Sequence, residues 1–458
     1  MKDIKEEKVD LRLSHDAFYK KYGRKKIVST YTLGCKVNQY ETEAMEELFE
    51  ESGYAIGNFS DAADIYVVNT CTVTNIADKK SRQMLSKARK KNQEAVIVAV
   101  GCYAQVAGEK LQADHHIDLV IGSNHKNKVV ELVESYLLDG HPIQVIEDIG
   151  QTTDYEDIWI TKVSDKTRAY IKIQDGCNQF CSYCIIPYTR GRIRSREIGD
   201  IIKEVKTLAQ NGYHEVVLTG IHIGSYGKDQ DDHVTLLGLL NSLHTIEGIQ
   251  RIRLGSLEPN LITADFMAGL VQLNKVCPHF HLSLQSGCDA VLKRMNRKYS
   301  TSEYAEKVGL IRKTYANPSI TTDIIVGFPG ETEGEFQETL DFIKHIQFSH
   351  IHVFKYSMRE GTPAADRTDQ IDAAVKAKRS QTIIACQDKI TRSFLETLMN
   401  KDYHVLYEEK IVVDDTFYYY GFTDNYIKVK TASPTNIQNK LLSTRIIAIQ
   451  ENMLIGEI

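Results

Sequence analysis

The 458-residue sequence has one tryptophan, eight prolines and no low-complexity tract. That composition excludes a fibrous or largely disordered chain. No apolar run approaches the roughly 18 residues needed to cross a bilayer as a helix. The N-terminal stretch MKDIKEEKVDLRLSHDAFYKKYGRKK carries acids throughout and has no apolar signal region, which predicts a cytoplasmic chain with no membrane association. Positive charge is not in excess either: 56 Lys and Arg face 61 Asp and Glu, a net charge of −5. Any nucleic-acid surface must therefore be local. Nine cysteines is an odd number, and in a reducing compartment a disulfide framework is not expected. Thiols that are not buried filler are then metal ligands or catalytic groups.

Apolar, β-branched runs recur at residues 26–33, 64–70, 95–101 and 118–123, with helical patterns such as QYETEAMEELFEESG between them. This alternation predicts a small doubly wound parallel sheet over residues 26–139, after a charged extension at 1–25. Cys35, Cys71 and Cys102 each stand just past one of the first three runs, 36 and 31 residues apart. In a parallel sheet such positions share the carboxyl edge, where open α/β sheets bind ligands. Three unrelated buried thiols are the plain alternative. Equivalent positions after successive strands favour a shared site instead. Soft thiolates suit zinc, copper(I) or an iron–sulfur cluster, and three of them on a four-iron cluster leave one iron open. Zinc with three cysteines and a water fits these residues as well.

Six further strand-like segments follow a polar linker, at 168–174, 215–220, 251–256, 279–286, 319–328 and 350–357. Amphipathic stretches between them predict a (β/α)6 partial barrel over residues 163–393, with function at the carboxyl ends and an open side for a large substrate. After the first strand comes DGCNQFCSYCIIPYTRGR, which sets Cys177, Cys181 and Cys184 in a C-x3-C-x2-C array. A loop of this spacing can wrap three corners of a cubane. A zinc knuckle wants a fourth ligand, and no obvious one follows nearby. Gly220, in TGIHIGSYG after the second strand, suits close backbone approach to a ligand or simply a turn. Asp323 and Gly327, on the fifth strand and its exit, are ligand-side or structural candidates. Over residues 394–458 short alternating segments predict a small antiparallel β-barrel of oligonucleotide-binding style.

The C-x3-C-x2-C loop at a barrel mouth resembles the radical S-adenosylmethionine (SAM) superfamily, and Tyr183 before the third cysteine fits that pattern, although loop packing would explain it equally. With TLGCKVNQYET, NTCTVTNIADKKSRQ, GCYAQ, LSLQSGCDAVLKRMNRKY and TDIIVGFPGETE, the chain resembles the methylthiotransferases from about Lys26 to its C-terminus. That resemblance implies two 4Fe–4S clusters: an auxiliary one on Cys35, Cys71 and Cys102, and one on Cys177, Cys181 and Cys184 whose open iron holds SAM. It implies SAM as radical source and methyl donor, a low-potential electron donor, and SAM contacts by Tyr183 and Gly220. It makes the last region a TRAM-like, RNA-binding β domain. The wording around Cys35 and Cys71 is most similar to the branch converting N6-L-threonylcarbamoyladenosine at tRNA position 37, in the anticodon stem-loop, to its 2-methylthio derivative. The isopentenyladenosine branch is the alternative substrate, and a nonenzymatic metal-binding RNA adaptor is the alternative outside enzymes. An adenine C2–H bond is unactivated, so substituting it needs radical chemistry that a cofactor supplies.

The helix after Cys71 reads ADKKSRQMLSKARKKN, seven positive charges against Asp78. Lys87, Arg89 and Lys90 are the RNA-binding candidates there, with a merely solvated face as the alternative. Arg190, Arg192, Arg194 and Arg196 form a second basic group; in an extended segment at most two pairs share a side. From Ile390 to Ile458 there are 7 Lys and Arg against 9 Asp and Glu, so phosphate attraction alone does not account for RNA binding by the last region. Phe417, Tyr418, Tyr419, Tyr420, Phe422 and Tyr426 offer stacking surfaces, some of them necessarily core. Cys277, Cys288 and Cys386 are read as packing residues, and the strand histidines, His281 and His352 among them, as structural.

Overall fold

The computed structural model describes residues 9–114, 116–162, 167–230 and 233–458. Residues 1–8 of the charged extension and the expected start of the central region at 163 lie outside these. The chain divides into two compact units, Met1–Ile160 with Ile185–Arg192, and Thr161–Cys184 with Ile193–Ile458.

In the first unit, Ser14 caps the helix His15–Tyr22 and Gly23 ends it in the left-handed region, giving the extension a helical turn pinned by the fully buried Phe18. Six parallel strands follow: β1 (Ile27–Thr32), β2 (Ala55–Gly57), β3 (Ile65–Thr70), β4 (Val96–Gly101), β5 (Leu119–Ile121) and β6 (Ile143–Val145), in the spatial order β2-β1-β3-β4-β5-β6. Helices cover both faces. Val67 and Val98 pack with Met45, Phe49 and Val133 on one side, and Val68 and Ile97 with Leu85, Tyr103 and Leu111 on the other. Because both faces are covered, β3 and β4 read as unbroken apolar runs. The order reverses between β1 and β3, which opens a crevice at the carboxyl edge.

In the second unit, all six expected strands form, together with two short additions: β7 (Arg168–Asp175), β8 (Arg194–Ser195), β9 (Glu215–Gly220), β10 (Arg251–Leu254), β11 (Ser256–Leu257), β12 (His279–Leu282), β13 (Ser319–Val326) and β14 (His350–Lys355). They are hydrogen-bonded as two four-stranded sheets, β10-β9-β7-β8 and β11-β12-β13-β14, with the bridge Ile252–Val276 between them. All pairings are parallel except β7 with β8. Along β13, Ile320, Thr322, Ile324 and Val326 are buried, and Asp323 and Ile325 lie on the opposite, less covered face. After the helix Ala373–Glu396 the chain closes a five-stranded barrel from β15 (Asp402–Val413), β16 (Thr416–Thr423), β17 (Lys428–Ala432), β18 (Leu441–Gln450) and β19 (Met453–Glu457). Val405, Tyr407, Tyr419, Val429, Ile446 and Leu454 fill it.

Buried charge holds this barrel to the amino ends of β7, β9 and β10. Glu215, fully buried, receives two hydrogen bonds from Arg253 at 2.7 and 3.2 Å and lies 3.5 Å from Arg251 and 3.8 Å from Arg168. Those arginines reach onward. Arg251 donates to the Phe422 and His404 carbonyls, Arg253 to the Asp424 carbonyl, and Arg168 pairs with Glu408 at 2.5 Å. Burial alone would raise the Glu215 carboxyl, but the guanidiniums outweigh it and hold it below the ordinary carboxylate range. Glu215→Gln leaves three buried cations short of a counter-charge, a loss of about 3–5 kcal/mol. A carboxyl with a depressed folded value stabilises above its unfolded value, near 4.3, and loses that contribution only as pH falls through the lower folded one. The melting temperature of the variant should therefore lie several degrees below that of the wild type, by an amount flat between about pH 6 and about pH 8. Equal melting temperatures would show that the arginines find other partners.

Candidate functional site

The sheet topology of the first unit brings Cys35, Cys71 and Cys102 to one edge, past β1, β3 and β4. Cys35 is the N-cap of the helix Lys36–Glu51, and Cys102 opens the helix Cys102–Gln112. Cys71 and Cys102 are buried and Cys35 is exposed. Burial pushes the Cys71 thiol up to about 11, with the nearby Cys102 and Cys35 adding to the rise. Two glycines make this gathering sterically feasible. Gly34 has φ +100°, and a Cβ there would stand 2.9 Å from Cys71 Sγ; Gly101 has φ +95°, and its Cβ would meet Asn69 Oδ1 at 2.5 Å. Ser81 holds the Cys71 backbone from both sides, accepting from its N–H at 3.2 Å and donating to its C=O at 3.1 Å.

One buried cation completes this site. Arg190, wholly buried, donates from Nε to Cys102 Sγ at 3.1 Å, from Nη1 and Nη2 to Glu41 at 2.5 and 3.0 Å, and from Nη2 to Asn38 Oδ1 at 2.6 Å. The Asn38 amide in turn donates to the Leu33 and Thr70 carbonyls at 2.7 and 3.0 Å. Lys126 stands 3.5 Å from Glu41 and 2.9 Å from Glu156.

In the second unit, β7 ends at Asp175 and the loop of Cys177, Cys181 and Cys184 begins at once. Gln174 ties the loop to its neighbour strand: its amide donates to the Asp175 and Gly176 carbonyls, and its Oε1 accepts from the His222 N–H at 2.7 Å. Gly220 lies against it, where a Cβ would meet the Gln174 carbonyl at 2.9 Å. The segment LKRMNRKY wraps the loop. The Ser182 N–H donates to the Met295 carbonyl at 3.0 Å, the Ser182 hydroxyl to the Arg294 carbonyl at 2.8 Å, and the Asn296 amide to the Phe180 carbonyl at 2.9 Å. Arg297 Nη1 donates to Cys181 Sγ at 3.2 Å, while Nη2 donates to both Glu258 oxygens at 2.7 and 2.9 Å. Burial pushes the Cys177 thiol up to about 11. Tyr183 packs in a cluster with Cys288, Met295, Phe328 and Tyr356, its ring edge-on to Phe328 at 6.5 Å. On the exposed face of β12–β14, His281 Nε2 lies 3.3 Å from Asp323 Oδ2, and His352 joins them, all three ligand atoms within 4.8 Å. Asp323 is thus occupied by a histidine.

All nine cysteines are free thiols. Each trio offers three soft donors, and each has a guanidinium hydrogen-bonded to one sulfur. That set fits a thiolate-held iron–sulfur cluster, whose sulfurs accept such bonds. Cys277 is buried beside the Arg253 network, and Cys288 is buried in the apolar cluster that packs Tyr183.

The basic surface differs from expectation. Lys79, Lys80, Lys87 and Lys90 are exposed, but Arg89 is 9% exposed and turned inward, paired with Asp118 at 2.7 Å and donating to the Ala95 carbonyl at 2.6 Å. It is a strut between helix and sheet and cannot reach a phosphate. Arg190, Arg194 and Arg196 are likewise buried, Arg196 paired with Glu204, so the second basic group offers solvent only Arg192. In the C-terminal barrel Tyr419 is core, and Phe422 and Tyr426 stack beneath Arg168 and Arg253. Phe417, Tyr418 and Tyr420 remain at the surface, each with a lysine ammonium over its ring: Lys410 at 4.0 Å, Lys430 at 4.1 Å and Lys428 at 4.6 Å. Arg297, Asn38 and Glu258 escaped sequence reasoning, and Arg190 was read only as part of a basic group, because their partners are distant in the chain. The glycines beside Cys35 and Cys102 were a usable signal.

Known proteins place these features in a family context. Residues 27–122 match the family model described as "Uncharacterized protein family UPF0004", and residues 171–343 match that of the radical SAM superfamily. A Bacillus subtilis (strain 168) protein named threonylcarbamoyladenosine tRNA methylthiotransferase MtaB is 42% identical over 92% of this chain and 93% of its own length. A tRNA-2-methylthio-N(6)-dimethylallyladenosine synthase from Alkaliphilus oremlandii (strain OhILAs) is 36% identical over 95% of this chain and 93% of its own. Among solved structures, the radical SAM methyltransferase TsrM from Kitasatospora setae superposes with a TM-score of 0.56 over 74% of this chain and 75% of that one, at 15% identity. That last likeness is one of fold alone.

Proposed function

The chain belongs to the methylthiotransferase family of radical SAM enzymes, and from that premise we propose the reaction it performs and the residues that perform it. It converts N6-L-threonylcarbamoyladenosine at position 37 of tRNA to the 2-methylthio derivative. Six cysteines standing in two separate sets of three carry this reading, because radical generation and sulfur delivery are two tasks. When bound, 4Fe–4S clusters at the two sets would supply the electron that cleaves SAM and the sulfur that replaces the adenine C2 hydrogen. Cys177, Cys181 and Cys184 would hold the cluster that binds SAM. Arg297 and the LKRMNRKY segment fix the loop that would hold this cluster. Tyr183 and Gly220 shape the wall beside it, Gly220 by letting β9 lie close to Gln174. Cys35, Cys71 and Cys102 would hold the auxiliary cluster. The substrate branch rests on the higher identity to a relative named for threonylcarbamoyladenosine than to one named for dimethylallyladenosine. A low-potential electron donor and a cytoplasmic site of action belong to the same proposal; no helix among the described residues is long and apolar enough to cross a membrane. Nucleoside analysis of tRNA from a deletion strain tests the reading. The 2-methylthio form of threonylcarbamoyladenosine should vanish and return on complementation, and loss of the isopentenyl form instead would move the chain to the other branch.

For tRNA docking, the exposed lysines of the helix Asn75–Lys91 carry the electrostatic part and the Tyr418–Tyr420 strip the stacking part. Reversing Lys79, Lys80, Lys87 and Lys90 to Glu should weaken tRNA binding and flatten its salt dependence, since fewer counterions are released. Arg89→Ala should instead lower thermal stability and leave the salt slope alone. An unchanged slope in the lysine variant would make this face a solvated one.

A further inference from the structure

We propose that Arg190 is a positioning residue that sets the reduction potential of the auxiliary cluster, by hydrogen-bonding one of its thiolates and bracing the approach to the other two. The inference rests on the reading that Cys35, Cys71 and Cys102 hold that cluster. Arg190 is wholly buried, and its guanidinium has a distinct job for each edge. Nε points at Cys102 Sγ at 3.1 Å. The two Nη atoms form a fork on Glu41, and Nη2 also reaches Asn38. Asn38 passes the connection on, because its amide holds the carbonyl of Leu33, two residues before Cys35, and that of Thr70, immediately before Cys71. One side chain is thus keyed to all three cysteines, directly at Cys102 and through one amide at the others.

An ion pair with Glu41 alone would not require this geometry. Glu41 already has a second cation, Lys126, at 3.5 Å, and an arginine serving it alone has no need to turn Nε toward a sulfur. Reduction brings one electron from an external reductant into the cluster, with no proton transferred, and the added negative charge spreads onto the sulfurs. A buried N–H donor and its positive charge favour that reduced form more than the oxidised one, in surroundings too dry to screen them. Removing them therefore makes reduction harder.

The test is a dithionite titration of the reconstituted holoenzyme, followed by electron paramagnetic resonance, with the SAM cluster as internal reference. The wild type must first bind about eight irons; about four would overturn the cluster assignment itself rather than the role of Arg190. In Arg190→Met, which removes both donor and charge, the auxiliary signal should shift negative, its reduced-to-oxidised ratio at fixed poise falling at least tenfold, equivalent to about 59 mV. Arg190→Lys, which keeps the charge, should shift it the same way by less. The SAM cluster should not move. Glu41→Gln removes a nearby negative charge yet keeps the Nε donor, so it should shift the auxiliary signal the other way. Full iron with unmoved potentials in the arginine variants overturns the proposal. If those variants lose the auxiliary cluster, Glu41→Gln decides: a positive shift supports the proposal, and an unmoved potential overturns it.

Discussion

Cys181→Ala is expected to abolish reductive cleavage of SAM, measured as 5′-deoxyadenosine released under dithionite. Cys181 is the middle cysteine of its loop, 8% exposed, and its sulfur is the one that Arg297 holds at 3.2 Å. With two thiolates left, the loop would hold a cubane poorly, and the site would lose the iron at which SAM would bind. The rest of the loop should stay in place, because Ser182 and Asn296 fasten it through backbone contacts independent of the sulfur. Arg297 keeps Glu258 and the Ser283 carbonyl, so a folding defect is not the expected cause. Iron content should fall by about four atoms. A normal yield of 5′-deoxyadenosine would overturn the assignment of this loop.

Cys71→Ala should separate the two sites. Its thiol lies in the other compact unit, so Cys177, Cys181 and Cys184 are untouched and SAM should still be cleaved reductively. No methylthio product should form, and iron should fall from about eight to about four per chain. The phenotype is a loss of product with radical generation retained, which neither misfolding nor a failed SAM site produces. Cys386→Ser serves as the control: Cys386 lies half-buried on the helix Ala373–Glu396, far in sequence from both trios, and its variant should keep full iron and full product. Cys71→Ala with full iron and full product would make the three separated cysteines structural.

The strands and both trios were legible because the signals behind them are local or periodic. β3 and β4 are unbroken apolar runs, Cys177 to Cys184 is a short array, and Cys35, Cys71 and Cys102 recur at one strand–helix interval. β2 and β6, three residues each, are too short to show a period. The fate of the arginines was illegible for a different reason. A charged residue reads the same in sequence whether it is solvated or paired. Arg89 meets Asp118 29 positions away, and Arg190 meets Glu41 149 positions away. Only tertiary structure decides between a phosphate contact and a strut: on this helix Lys79, Lys80, Arg82, Lys87 and Lys90 are exposed, and Arg89 is turned inward. The segment LKRMNRKY was quoted for its resemblance before its task was apparent. It is a backbone clamp on the cysteine loop, made mostly through carbonyls that carry no residue signature.

The ion network around Glu215 bears on how RNA is presented. Were the C-terminal barrel tethered by a flexible linker, an RNA held on it would sample many orientations, and each productive encounter would carry an entropic cost. The arginines at the heads of β7, β9 and β10 instead fasten the barrel through several carbonyls and Glu408. Its pose relative to those strands is fixed when the unit folds. On the proposed reading, the barrel would act as a jig: a strand stacked on Tyr418 and Tyr420 would meet β7, β9 and β10 at one set distance, so that rigid protein would gauge the reach along the RNA. Lengthening the connection at residues 397–401 would not extend that reach.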